Sequence, residues 1–203
     1  MRALIMAGGG GSRLGLGEKP LVNIGGIPMI RYVIDAFRKA GHEPVVVASP
    51  RTPMTRNWCR VQGITLFSAE GRGYIPDLVE AVTDLEETGP LFTSASDLPC
   101  LTADLLRIIE DTYRLAGTPA LSVWVPLDLS PGDADRVRYM EVVEGVRACP
   151  AGINILLGSG ITAPQEETPL LLRSRRLAYH INTREELERV RAAAAGRDRP
   201  GLG

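Results

Sequence analysis

The sequence predicts an α/β fold in which helices cover both faces of a mostly parallel sheet. Two observations indicate this architecture. Short apolar runs alternate with amphipathic helical segments at least four times in residues 1–125. The alternation also begins with a buried strand that runs directly into four glycines. Because a chain of 203 residues can bury a core of its own, we expect one three-layer α/β/α sandwich.

The first part of the chain carries most of the predicted elements. Strands are expected where apolar runs end at turn residues, and helices where apolar residues recur every three or four positions. Thr52 before Pro53 is typical of a helix N-cap and first helical position. The predicted strands are residues 2–7, 44–48, 64–67, 90–94 and 120–125, and the predicted helices are residues 27–40, 53–62, 76–87 and 103–115.

The remainder of the chain is less regular. Residues 126–145 are interpreted as a loop or excursion with a short strand near 139–143, and residues 153–157 are apolar. Thr183 and Glu186 form a capping-box pattern that predicts a helix over 184–195. Residues 1–195 are predicted to be one domain. The tail, residues 196–203, has no apolar anchor and is expected to be disordered.

Composition excludes several classes of protein. The net charge of −1 shows no basic excess, which argues against a general nucleic-acid binder. Three dispersed cysteines without a CxxC pair favour neither a zinc site nor a disulfide framework, and indicate a reducing compartment. No apolar stretch is long enough for a signal-peptide core or a membrane span. We expect a cytoplasmic protein, either a monomer or a homodimer.

The glycine-rich segment 7–21, AGGGGSRLGLGEKPL, is the most informative part of the sequence. Glycines after a buried strand allow backbone amides to approach a phosphate closely. The spacing fits neither the dinucleotide fingerprint nor the P-loop. Of 23 basic residues 21 are arginine, so Lys19 is one of only two lysines. A lysine ammonium can lie between phosphate oxygens; the alternative is a flexible loop with a solvated lysine.

This loop, with its Arg13 and Lys19, resembles the signature loop of the MobA-like nucleotidyltransferase superfamily, which includes sugar-phosphate and molybdopterin nucleotidyltransferases. The resemblance implies the nucleotide-diphospho-sugar transferase fold, with a Rossmann-like sheet, and a loop that wraps a triphosphate. Gly10 occupies the variable position between the second and third loop glycines, and Ser12 replaces the commoner threonine. The implied catalytic residues are Arg13, Lys19 and Asp97.

Asp97 lies in a Ser-Asp-Leu-Pro context just after a predicted strand. The resemblance implies that it holds Mg²⁺, a hard cation that prefers carboxylate oxygen, with Asn182 as a second ligand. His180 departs from the Asn or Asp often found two residues before that position. Simple helix capping remains the alternative for Asp97 and for Asn182–Thr183.

Three further segments, 49–55, 71–78 and 150–154, resemble the archaeal guanylyltransferases of cobalamin biosynthesis, which act on adenosylcobinamide phosphate. The resemblance spans residues 3–190 and implies GTP as the second substrate. The implied nucleotide-binding residues are Ala7, Gly8, Gly9, Gly10, Gly11, Ser12, Arg13, Lys19, Ser49, Thr52, Gly71, Gly73 and Asp77. The implied acceptor-side residues are Pro150, Gly152 and Asn154.

The reaction implied by this resemblance needs no general base. An acceptor phosphate is already an anionic nucleophile at neutral pH, because its second pKa is near 6. The chain has only two histidines, His42 and His180, and we expect His42 on the surface. The alternatives are a molybdopterin guanylyltransferase or another nucleotidyltransferase with a phosphorylated acceptor, a nicotinamide-dependent oxidoreductase, and a non-catalytic nucleotide sensor. The failed fingerprint argues against the oxidoreductase.

Overall fold

The computed structural model describes residues 1–9, 15–129, 139–181 and 183–195. A short 3₁₀ helix, Lys19–Leu21, follows the glycine-rich segment. The strands are β1 (Arg2–Met6), β2 (Asn23–Ile24), β3 (Ile27–Pro28), β4 (Glu43–Ala48), β5 (Leu66–Ser68), β6 (Pro90–Ala95), β7 (Ala120–Pro126), β8 (Glu141–Val143), β9 (Val146–Leu157) and β10 (Glu167–Leu171). The helices are α1 (Met29–Lys39), α2 (Pro53–Val61), α3 (Tyr74–Asp84), α4 (Ala103–Ala116), α5 (Arg175–Ala178) and α6 (Arg184–Ala195).

The main sheet follows the order β10-β7-β9-β6-β1-β4-β5 in the described residues, with β8 paired to β9. Strand β1 pairs in parallel with β4 and β6, and β4 with β5. One face of the sheet packs against α1, α2 and α4, while the other packs against α3. The prediction of a three-layer α/β/α sandwich with a mostly parallel sheet is therefore confirmed.

Strand β9 departs most from the sequence-based expectation. It is twelve residues long and antiparallel to both of its neighbours, β6 and β7. Ser122 lies opposite Asn154, but Trp124 lies opposite Pro150, so β9 holds two extra residues between these pairs. Gly152 lies in this irregularity with φ +70°, a conformation that favours glycine. Only residues 153–157 were predicted as an apolar run, because Pro150 and Gly152 interrupt the strand pattern.

The helix termini follow the local sequence. Thr183 and Glu186 form the predicted capping box: the Thr183 amide donates to Glu186 Oε2 at 2.8 Å, and the Glu186 amide donates to Thr183 Oγ1 at 3.2 Å. Helix α1 begins at Met29, two residues later than predicted, because Pro28 occupies its N-cap position. The two-residue strands β2 and β3, and β10, were not predicted; of these, β2 packs against α6.

The expectation that His42 lies on the surface is wrong. His42 is 6% exposed and packs against the rings of Phe37 and Phe92, with centroids 6.1 and 4.8 Å away. Its Nδ1 faces the N-terminal amine at 3.5 Å, and its Nε2 lies 3.6 Å from Glu110 Oε2. The sequence suggested exposure because His42 follows a helix-ending glycine, whereas the chain turns inward there to start β4.

The buried position of His42 makes stability depend on pH. Burial lowers the pKa of His42 from 6.5, and the nearby Glu110 carboxylate offsets this only in part. The unfolded chain therefore binds this proton more readily, and stability falls as the pH drops below about 6.5. We expect wild-type protein to lose up to about 1.4 kcal/mol per pH unit from this one group, and His42→Gln to lack that contribution. Urea unfolding at pH 7.5, 6.5 and 5.5 measures it; parallel pH profiles for the two proteins would contradict it.

Candidate active site

Three neighbouring strands end at one edge of the sheet, and each is followed by predicted site residues. Ala7–Gly9 follow β1, Ser49 follows β4, and Ser96–Asp97 follow β6. Since β1 lies between β4 and β6, the two outer strand ends are about 10 Å apart. Ligands of open α/β sheets bind at this carboxyl edge. The structure thus places the predicted nucleotide and metal residues side by side.

The predicted guanine side is one tight cluster. Ser49 Oγ donates to the Gly8 carbonyl at 2.7 Å. A Cβ added to either Gly8 or Gly71 would lie 3.2 Å from Ser49 Cβ, tighter than most such contacts, so these backbone segments pack closely against Ser49. Asp77 is buried and accepts from the amides of Gly71 and Arg72 at 3.1 and 2.8 Å. Asp77 therefore fixes the turn after β5 against the start of the glycine-rich segment.

Ser49 and Thr52 are fully buried and hold one turn together. The Ser49 amide donates to Thr52 Oγ1 at 3.2 Å, and Thr52 Oγ1 donates to the Ser49 carbonyl at 3.3 Å. The Arg51 amide donates to Ser49 Oγ at 3.1 Å. Thr52 occupies the predicted N-cap position of α2, yet its hydroxyl makes no cap hydrogen bond. Through these hydrogen bonds to backbone groups, the two side chains fix the turn after β4, at the edge where the nucleotide is predicted to bind.

Glu18 supplies the cap that Thr52 does not. Its carboxylate accepts from the Met54 and Thr55 amides at 2.7 Å each, and from Thr55 Oγ1 at 2.6 Å. These amides belong to the first turn of α2, where the helix dipole also favours negative charge. Glu18 thereby ties the end of the glycine-rich segment to α2. Glu18 belongs to the glycine-rich segment, but the sequence alone indicated no role for it.

Lys19 is not a solvated lysine. Its Nζ donates to Asp97 Oδ2, and both side chains are largely buried, with 17% and 13% exposed. Asp97 is not a helix cap either, because Thr102 is the N-cap of α4 and accepts from the Leu105 amide. The structure therefore brings the predicted phosphate-binding lysine and metal-binding aspartate into direct contact across the sheet edge.

Asp97 is held ionised by its neighbours. His180 Nδ1 lies 3.6 Å from Asp97 Oδ1, an electrostatic contact that is too long for a hydrogen bond. Burial alone would raise the pKa of Asp97, but the nearby His180 and Lys19 outweigh burial and hold it well below its usual range. The His180 ring also lies over Gly152, where a Cβ would come within 3.0 Å of Cε1.

The site fits a divalent cation bound largely by substrate. Asp97 Oδ1 is buried and has no hydrogen-bond partner among the described residues, so an anionic oxygen is available. The described part of the chain holds no group of three His, Cys, Asp or Glu side chains that could bind a metal. Mg²⁺ at phosphate sites commonly takes only one or two protein carboxylates and completes its shell with phosphate and water.

The acceptor-side predictions also converge on this edge. Gly152 lies beside Ala95 and the His180 ring. Asn154 pairs with Thr93 on β6 and with Ser122 on β7, close below the Asp97 loop. Pro150 is an exposed residue of β9. Gly73 is the N-cap residue of α3. Five predicted site residues lie outside the described residues, and these are Gly10, Gly11, Ser12, Arg13 and Asn182.

The comparison with known proteins identifies the family. Residues 3–198 match the MobA-like NTP transferase domain. The chain belongs to this family. An adenosylcobinamide-phosphate guanylyltransferase from Methanocaldococcus jannaschii is 32% identical over 199 residues, covering 93% of this chain and 94% of that protein.

Two further comparisons agree with the family. A molybdenum cofactor guanylyltransferase from Shewanella frigidimarina is 31% identical over 105 residues, covering 51% of this chain and 52% of that protein. The solved structure of CMP-2-keto-3-deoxy-manno-octonic acid synthetase with CTP has a TM-score of 0.77 at 17% identity, covering 97% of this chain and 98% of that chain. The latter likeness confirms the fold expected from the sequence.

Two residues near Asp97, the predicted metal ligand, were not identified from the sequence of this nucleotidyltransferase. His180 was noted only as a departure from the family pattern, but it faces Asp97. Tyr74, the first residue of α3, was not singled out. Burial raises the pKa of its hydroxyl, the neighbouring Thr93 lowers it, and the Asp97 charge raises it. Only folding brings these residues to Asp97, so no local pattern marks them.

The described residues contain no helix that is long and apolar enough to cross a membrane. Cys59 and Cys149 are free thiols.

Removing the Glu18 carboxylate should weaken both α2 and the position of Lys19. We expect Glu18→Ala to lower the free energy of unfolding by about 1–2 kcal/mol, the range typical of a lost N-terminal cap. Urea unfolding measures this change. Glu43→Ala is the matched control, because the Glu43 side chain is 79% exposed and pairs only at the surface. Equal stability of the Glu18 and Glu43 variants would refute the capping role.

Proposed function

We propose that this chain transfers GMP from GTP to adenosylcobinamide phosphate, releasing pyrophosphate. The observation that carries the proposal is the match to the Methanocaldococcus jannaschii guanylyltransferase along almost the whole of both chains. The molybdenum cofactor guanylyltransferase matches only about half of either chain. It therefore supports its own acceptor for this chain less than the full-length match supports adenosylcobinamide phosphate.

In the proposed reaction, an oxygen of the acceptor phosphate attacks the α-phosphorus of GTP. A new P–O bond forms as the bond to the bridging α–β oxygen breaks, and the electron pair leaves with pyrophosphate. The attacking phosphate is already anionic, so no proton has to be removed. This agrees with the placement of His42, which precedes β4 and so lies at the opposite edge of the sheet from Asp97. Catalysis then rests on positioning and charge neutralisation.

Asp97, Lys19 and Arg13 would have different roles in neutralising the charge of the triphosphate. Asp97 would hold Mg²⁺, together with Asn182, through a carboxylate that stays ionised throughout the physiological range. When bound, the cation supplies positive charge to the triphosphate oxygens. Lys19 would leave Asp97 for the phosphates, and Arg13 would add a second positive charge. Ala7–Gly9, Gly71, Gly73 and the Ser49–Thr52 turn would receive the nucleoside, with Asp77 fixing the Gly71 turn.

The proposal includes the wider setting of the enzyme. Residues 1–195 would act as one nucleotidyltransferase domain, in a reducing, cytoplasmic compartment, as a monomer or homodimer. Free thiols at Cys59 and Cys149 support the reducing compartment.

The nucleotide and the acceptor can be tested together. We expect pyrophosphate release with GTP to be stimulated by cobinamide phosphate, and release with ATP or CTP to be much weaker. The assay compares each nucleoside triphosphate with and without the acceptor at saturating Mg²⁺. If cobinamide phosphate gives no stimulation at saturating GTP, the proposed acceptor is wrong.

The roles of Asp97 and Lys19 can be separated. Asp97→Asn keeps the size of the side chain but removes its charge, so we expect turnover to fall at least about 100-fold while GTP still binds. Lys19→Met should instead weaken GTP binding, because it removes charge from the triphosphate. Stopped assays and calorimetric titration with GTP measure the two effects.

Two exposed residues provide controls for these variants. Asp104→Asn and Lys39→Met make the same chemical changes on exposed helix positions away from the site. Wild-type turnover in Asp97→Asn, or wild-type GTP affinity in Lys19→Met, would contradict the assigned roles.

A further inference from the structure

The two oxygens of the Asp97 carboxylate both face a nitrogen atom of another side chain. Lys19 Nζ donates to Oδ2, and His180 Nδ1 lies 3.6 Å from Oδ1. The lysine and the aspartate are both largely buried. Separating a buried pair of opposite charges is unfavourable, because it leaves each charge uncompensated. A cation that binds Asp97 therefore has to share the carboxylate with a positive charge, or displace that charge.

Other carboxylates of the site are engaged elsewhere. Glu18 accepts from two amides of α2, and Asp77 accepts from two amides in the turn after β5. Since the charges of Asp97 and Lys19 cancel, a divalent cation beside them would add two uncompensated positive charges to a largely buried position. Such a charge is costly unless an anion accompanies it.

The backbone on both sides of the contact is fixed, so any exchange has to come from the Lys19 side chain. Pro20 is buried, and the Val22 amide donates to the Lys19 carbonyl at 3.1 Å. Glu18 ties the preceding residue to α2, and Leu98, which follows Asp97, is fully buried. A lysine has a flexible four-carbon stem, and its ammonium can turn to another anionic oxygen within reach. A triphosphate at this edge would offer several such oxygens.

We propose that Lys19 competes with the metal ion for Asp97, so that the protein binds a divalent cation weakly until a nucleoside triphosphate draws Lys19 away. The inference rests on the proposed function, and it deepens that proposal by making metal binding depend on the nucleotide. Once Lys19 contacts the triphosphate, the negative charge of Asp97 is uncompensated and favours a cation, whose other ligands would be phosphate oxygens and water. Coupling between two ligands is reciprocal, so the cation also raises the affinity for the triphosphate.

Binding of Mn²⁺ in the absence of nucleotide tests the competition. Lys19→Met removes the competing charge, so we expect this variant to bind Mn²⁺ at least about tenfold more tightly than wild type, a typical size for coupled sites. Lys19→Arg keeps the charge and should bind Mn²⁺ as weakly as wild type does. Lys39→Met, the matched control, removes the same charge from an exposed helix position and should leave the affinity unchanged. Paramagnetic resonance of unbound Mn²⁺ measures these affinities.

Two further measurements distinguish competition from a purely structural ion pair. Adding Asp97→Asn to Lys19→Met should abolish the gain in Mn²⁺ affinity, because the gain depends on that carboxylate. In Lys19→Met alone, Asp97 lacks its partner, so we expect a lowered Tm that Mn²⁺ raises by more than it raises the Tm of wild type. A structural ion pair predicts the lowered Tm without any gain in Mn²⁺ affinity, and that result would overturn the competition.

The Mn²⁺ titration uses neither GTP nor an acceptor, so its outcome is separate from that of the turnover assay. Equal Mn²⁺ affinities of wild type and Lys19→Met, together with pyrophosphate release stimulated by cobinamide phosphate, would overturn the competition and leave the proposed function standing. Tighter Mn²⁺ binding by Lys19→Met, without turnover of GTP in wild type, would support the competition and overturn the proposed function.

Discussion

The contact between Lys19 and Asp97 is the constraint on which the site depends. Two opposite charges buried together are tolerated because each satisfies the other, whereas either alone would be costly. The contact joins the loop after β1 to the loop after β6, so the position of each loop depends on the other. Glu18 fixes the neighbouring residue to the first turn of α2. The loop end is thus held from both sides.

The same charges prepare the site for phosphate chemistry. A carboxylate whose pKa is held low by its neighbours His180 and Lys19 could bind a metal, and a lysine already desolvated could move to a phosphate oxygen at small cost. In the proposed reaction, this site would neutralise charge, and the histidines would not be needed as bases. His42 is used in the core, where it packs between Phe37 and Phe92, and His180 faces the carboxylate.

Strand β9 divides the sheet into two parts. On one side, β6, β1, β4 and β5 form the parallel half, whose carboxyl edge carries the predicted nucleotide residues. The antiparallel β9 lies between β6 and β7, and its irregularity at Gly152 lets the His180 ring approach. Helix α3 packs over β1 and β4, and the apolar cluster beneath it extends to Leu91 of β6. The direction of one strand therefore separates the two parts of the sheet.

The sequence by itself determined the alternation of strands and helices, the glycine-rich loop, Lys19, Asp97 and the capping box of α6. These features are local: apolar periodicity, turn residues and caps act over a few positions. The tertiary structure decided the length and direction of β9, the burial of His42, the capping of α2 by Glu18, and the approach of His180 and Tyr74 to Asp97. Each of these depends on contacts between residues far apart in sequence, and no local pattern encodes such contacts.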